Sequence, residues 1–124
     1  MDLSNFIILY VDNVQRSVDF YRPLFDREPV ESMDGFAMFV SETGNKFALW
    51  AKSNVIPKVD DVKAGAMEVA FTVDGISTLS VHYAKWRELG VQIIQEPAEL
   101  DFGTTFTVLD PDGHRLRVFC NEKS

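Results

Sequence analysis

The chain is 124 residues long, 46% apolar and 25% charged, which fits one ordinary globular domain and excludes wholesale disorder. Its net charge of −7 argues against nucleic acid as a partner, since that needs a basic footprint. No apolar run approaches the roughly twenty residues of a membrane span, Met1-Asp-Leu-Ser4 lacks a basic signal-peptide start, and the single Cys120 suits a reducing compartment, so a cytoplasmic protein is expected.

In chain order, Phe6-Ile-Ile-Leu-Tyr-Val11 is a continuous run of strand formers and reads as a buried strand. Asp12 is placed to cap a helix whose stripe is Val14, Val18, Tyr21 and Phe25. Pro23 is expected to end or kink that helix near Tyr21 or Arg22. A weak strand signal at 29–32 precedes stronger ones at Gly35–Val40 and Lys46–Ala51, with Thr43-Gly44-Asn45 as the turn between them.

The pattern then lapses into a connecting loop at 53–65. A strand at Met67–Val73 follows, then a cap at Asp74 and a helical stripe of Ile76, Leu79, Tyr83 and Trp86 that ends at Gly90. Val91–Gln95 reads as a strand that Pro97 breaks. The chain closes on a hairpin. Its turn is Asp110-Pro111-Asp112-Gly113, where Pro111 presets φ and Asp110 can accept bonds from the backbone ahead. Its last strand, His114–Cys120, alternates two arginines with apolar residues and should be central in its sheet.

The halves share one order of strand, Val-Asp turn, helix and three strands. Leu9–Tyr21 lies over Phe71–Tyr83, each with a Tyr nine residues after the Asp. The expectation is a single domain, 1–124, of two modules at about 4–52 and 66–121, joined by the loop at 53–65. The fold class is α+β, with two βαβββ modules.

These segments, with Phe102-Gly103 leading into Asp110-Pro-Asp-Gly-His-Arg-Leu-Arg-Val118, resemble the vicinal oxygen chelate superfamily, also called the glyoxalase/bleomycin-resistance/dioxygenase fold. The resemblance implies paired βαβββ modules whose mixed sheets curl around a cavity. Metal-dependent members carry one His, Glu or Gln ligand on each of four strands, and the corresponding positions here are Phe6, Ala48, Glu68 and Arg117. Phe6 and Ala48 donate nothing to a metal, and Arg117 is a permanent cation. No metal and no cofactor are therefore expected. His114 reads as structural or exposed and His82, off the apolar stripe of its helix, as exposed, and no nucleophile–histidine arrangement can be argued.

Strand alternation puts Phe6, Ile8, Tyr10, Ala48 and Trp50 on one face and Ile7, Leu9 and Val11 against the helix. It likewise groups Glu68, Ala70, Thr72, Arg115, Arg117 and Phe119. Trp50 offers a flat surface for stacking a planar ring, against the plainer reading of core or dimer packing. Glu68 and Arg117 read as an ion pair, or as groups that hold and orient a ligand anion. Phe47-Ala-Leu-Trp50 and the tail look most similar to phenazine-antibiotic resistance proteins, non-enzymatic members that bind an aromatic drug at a dimer interface.

The expectation is a metal-free homodimer that sequesters a small planar aromatic molecule. Its ligand-binding residues are Trp50, Phe6, Tyr10, Ala48, Glu68, Phe102 and Arg117, with no catalytic residue, no nucleic-acid partner and no membrane. The alternatives are a metal-free lyase or isomerase using Glu68 as general base, a metal-dependent glyoxalase or dioxygenase if the four positions are displaced, or an aromatic face serving dimer packing alone.

Overall fold

A computed structural model describes residues 1–123. The protein is α+β and divides into two compact units, Met1–Val62 and a second from Lys63 onward. The first contains β1 (Phe6–Val11), α1 (Val14–Phe25), β2 (Glu31–Met33), β3 (Phe36–Val40) and β4 (Lys46–Ala51). Its sheet runs β1-β4-β3-β2, with β1 and β4 parallel and the rest antiparallel. The second contains β5 (Glu68–Thr72), α2 (Ile76–Glu88), β6 (Gln92–Leu100), β7 (Gly103–Leu109) and β8 (Arg115–Cys120). Its order, β5-β8-β7-β6, repeats the first, and β8 is central as the sequence predicted. Neither helix is long and apolar enough to cross a membrane.

In each module one sheet face packs under the helix. Leu9, Val11, Ala37, Phe39, Phe47 and Leu49 are buried with Val14, Val18, Tyr21 and Leu24 of α1. Val69, Phe106, Val108, Leu116, Val118 and Cys120 are buried with Leu79 and Trp86 of α2. Cys120 is thus a small apolar residue buried at the end of β8.

Several local expectations are corrected. Asn13, not Asp12, caps α1: its Oδ1 accepts from Arg16 N at 2.9 Å. Pro23 does not end α1, which continues to Phe25 and stops at Asp26 with φ of 51°. The missing Pro23 N–H costs one backbone bond, but packing holds the last turn. There Phe25 lies 5.3 Å from Tyr21, 5.4 Å from Phe39 and 5.1 Å from Phe47. Gly75 rather than Asp74 is the N-cap of α2, and it has no side chain to accept a bond. Glu122 supplies the acceptor from the end of the chain, with Oε1 2.8 Å from Ile76 N.

Nor does Pro97 break β6, which runs on to Leu100. β6 is an edge strand, where a missing N–H removes no inner ladder bond, and its pairing with β7 shifts register between Ile93 and Gln95 and again before Ala98. His82 is also less exposed than expected. Its ring lies 6.3 Å from Trp86, and its Nδ1 is buried. The loop starts later than the strand pattern implied, because Lys52–Asn54 form a 3-10 turn and Val55 is buried.

The closing turn forms as read: Asp110 Oδ1 accepts from Asp112 N at 2.9 Å and His114 N at 2.8 Å. Gly103 sits at φ of 137°, and a Cβ there would run into the Cys120 carbonyl oxygen. Only glycine lets β7 start so close to the end of β8.

Candidate functional site

The helix-free face of each sheet carries the candidate residues. In the first module, register places Tyr10 opposite Trp50 on β1–β4 and Phe36 opposite Trp50 on β3–β4. Because these pairs share a face, the indole is flanked on both sides. Tyr10 stands edge-on at 6.3 Å and Phe36 edge-on at 6.4 Å. Rings so arranged fix one another's orientation in a favourable geometry. Phe6, Ile8 and Tyr10, on the edge strand β1, remain 37%, 42% and 40% exposed and together make an open apolar patch. Lys46 Nζ lies 5.4 Å from the Phe6 ring centroid, a cation–π contact at the rim. Ala48, between its cross-strand partners Ile8 and Met38, is fully buried and offers no surface of its own.

The second module's face is polar. Glu68 and Arg117 lie on the adjacent parallel strands β5 and β8, and Arg117 Nε donates to Glu68 Oε1 at 2.8 Å. The arginine side chain is 17% exposed and the glutamate 37%, so solvent screens the carboxylate end of the pair. Arg117 Nη1 also donates to Gln95 Oε1 at 3.1 Å and Thr105 Oγ1 at 3.2 Å. Thr107 Oγ1 donates to the same Gln95 oxygen at 2.9 Å, and Thr105 Oγ1 donates to the Val118 carbonyl at 2.8 Å. Phe102, 50% exposed, stands edge-on to Phe119 of β8 at 5.7 Å. An open depression of about 580 Å³ is lined by Glu99, Leu100, Asp101, Phe102 and Lys123.

The candidates thus fall into three groupings: Tyr10 with Trp50, Glu68 with Arg117, and Phe102 with Phe119. Gln95 was missed. Counting by twos from Ile93, which faces the helix side, puts Gln95 on that side as well. The register shift after Ile93 instead sets it opposite Thr107, on the face of Arg117. No residue pattern announces that bulge.

The metal positions can be tested on donor chemistry. Phe6 and Ala48 carry no donor, and the one carboxylate, Glu68, is engaged by the Arg117 guanidinium. No group of three or more His, Cys, Asp or Glu side chains is arranged to hold a metal among the described residues. This donor set does not fit a divalent ion.

The βαβββ module, repeated in each unit, defines the class. Residues 4–118 match the Glyoxalase/Bleomycin resistance protein/Dioxygenase superfamily, and the chain belongs to it. Among its relatives, it is 35% identical over 118 residues to the phenazine antibiotic resistance protein EhpR of Enterobacter agglomerans, covering 92% of this chain and 88% of that one. It is 26% identical over 119 residues to the metallothiol transferase FosB of Shouchella clausii, covering 92% and 77%. The solution structure of protein ATC0852 from Agrobacterium tumefaciens shares 43% identity and superposes with a TM-score of 0.86, over 97% of this chain and 98% of that one.

Proposed function

We propose that this protein binds a small planar aromatic molecule without a metal, as an antibiotic-sequestering resistance protein does, and works as a cytoplasmic homodimer whose two modules form one domain. The observation that carries the reading is the open aromatic face of the first module, where Trp50 is held between Tyr10 and Phe36 while Phe6, Ile8 and Tyr10 remain exposed. Stacking on the indole beside Phe6 and Tyr10 supplies the affinity in the first module, and in the second Phe102 offers an aromatic wall and Arg117 a polar anchor. The relationship to a phenazine antibiotic resistance protein supports an aromatic antibiotic as ligand. Binding is stoichiometric, so no bond of the ligand is made or broken. A proton-abstracting role for Glu68 is disfavoured because its carboxylate already accepts from Arg117.

The test is tryptophan fluorescence against a library of planar aromatics. Ligands should quench the emission in the wild type and not in Trp50→Ala, whose remaining Trp86 is 4% exposed and shielded from them. Silence across the library would sink the proposal. Because a metallothiol transferase is among the relatives, elemental analysis of the purified protein is the companion measurement. A stoichiometric transition metal would restore the metal-dependent enzyme as the better reading.

A further inference from the structure

The polar network of the second module leaves hydrogen-bond donors over, and they are of one kind. A guanidinium has five N–H groups. Arg117 uses Nε on Glu68 and Nη1 on Gln95 and Thr105, while Nη2 has no partner among the described residues. The Gln95 amide is similarly half used. Its Oε1 accepts from both Arg117 and Thr107, and its Nε2 has no partner among the described residues. That assignment rests on chemistry, because arginine can only donate and the atom facing it must be the oxygen. Neither free nitrogen is sealed off, since the only buried side-chain N or O atoms without partners there are His82 Nδ1 and Trp86 Nε1.

Both free donors belong to side chains held by two or more bonds, so little conformational entropy remains to be lost when an acceptor arrives. Charge points the same way. Glu68 offsets one of the two arginines on this face, and Arg115, which shares the face by alternation, has no ion-pair partner among the described residues. The face therefore carries one surplus positive charge. Phe119 lies on the same face next to Arg117 and is flanked by the exposed Phe102, which gives the donors an aromatic border.

We infer that Arg117 Nη2 and Gln95 Nε2 form a carboxylate subsite, so that the ligand class is a planar aromatic monocarboxylate. This rests on the aromatic-binding reading above and deepens it. Gln95 acts as a specificity-determining residue, and Glu68 and Thr105 position the guanidinium. Two donors on a partly desolvated site discriminate strongly against a partner that brings N–H groups instead of oxygens.

The experiment titrates the protein with 2-naphthoate and with 2-naphthamide, its neutral isostere, by calorimetry and by 1H–15N correlation spectra. The expected result is at least tenfold tighter binding of 2-naphthoate, with the Gln95 side-chain amide resonances shifting for the acid and not for the amide. Gln95→Glu keeps the oxygen that Arg117 and Thr107 need and turns the free edge into an anion, so the preference should vanish while the thermal midpoint holds. Arg117→Lys, which keeps the charge and loses the fork, should reduce the preference as well.

Equal affinity for the two probes overturns the subsite and leaves aromatic binding standing. So does a preference that survives in Gln95→Glu. If neither probe binds a protein whose Trp50 is quenched by other planar aromatics, this inference alone fails. If nothing quenches Trp50 either, both readings fail. The wild-type resonance shifts decide the matter even where a variant does not fold.

Discussion

The two modules share element order, strand order and even the place of the parallel pair, yet their helix-free faces are opposites. Trp50, Tyr10 and Phe36 make the first aromatic; Arg117, Glu68, Gln95 and two threonines make the second a hydrogen-bonded network. The helix-side faces do not differ in this way, being apolar in both. One βαβββ scaffold thus keeps its fold in one set of alternating residues and its chemistry in the other. This separation explains how one superfamily can hold both resistance proteins and transferases.

The largest effects should fall on the side the modules have in common. Tyr21 is fully buried and Trp86 is 4% exposed, one on each helix. Tyr21→Ala and Trp86→Ala should each cost about 3–5 kcal/mol in urea denaturation. A change under 1 kcal/mol in either would break the symmetry claimed for the two cores.

The helix-free faces should then separate. Arg117→Met leaves Gln95 Oε1 and the buried Thr105 without their charged donor and should cost about 1–3 kcal/mol. On the other face, Ile8→Thr removes a residue that is 42% exposed and should cost less than about 1 kcal/mol. It should weaken the proposed homodimer in analytical ultracentrifugation and weaken the proposed aromatic binding. The polar face would then be holding its own module together while keeping its free donors for a ligand, and the apolar face would be left to a ligand or a second copy alone.

The helix starts differ more subtly. Asn13 caps α1 locally, and Asn13→Ala should lower stability by about 1 kcal/mol regardless of salt. Helix α2 takes its acceptor from Glu122, 46 residues further along the chain. Glu122→Ala should cost about 0.3–1 kcal/mol at low ionic strength and less at 1 M NaCl, because charge and helix dipole contribute there.

That difference also marks what could be read in the sequence. The Glu68–Arg117 pairing was implied by the family resemblance, while the strands, both helices and the repeat followed from periodicity and from turn residues such as Asp110-Pro-Asp-Gly113. They are the features that many residues specify together. The features that escaped depend on partners distant in sequence. Nothing near Gly75 points to Glu122, and nothing near Pro23 reports that Phe39 and Phe47 will hold the turn beyond it. Gln95 is the most instructive. Counting by twos from Ile93 would put it on the helix side, and only the register shift between Ile93 and Gln95, the first of two along this edge strand, brings it to Arg117.

The smallest effect concerns the segment that leaves the first module. Lys52 Nζ lies 3.5 Å from Asp12 Oδ1 and 3.5 Å from Asp61 Oδ1, tying the end of β1 to the chain beyond β4. Desolvation pulls the ammonium down, but the charge of Asp12 and the hydrogen bond and charge of Asp61 together outweigh it, so Lys52 is raised above the ordinary lysine value. A raised folded value means that its stabilisation is fully present below the unfolded lysine pKa of about 10.4 and is lost as pH climbs through the folded value. Urea midpoints of wild type and Lys52→Gln should therefore differ by a constant amount through neutral pH and converge only in strong alkali. The gap should also narrow at 1 M NaCl, since Asp61 is fully exposed. An alkaline gap as wide as the neutral one would mean that Lys52 is not held by its two aspartates, and that the exit from the first module is secured by the buried Val55 alone.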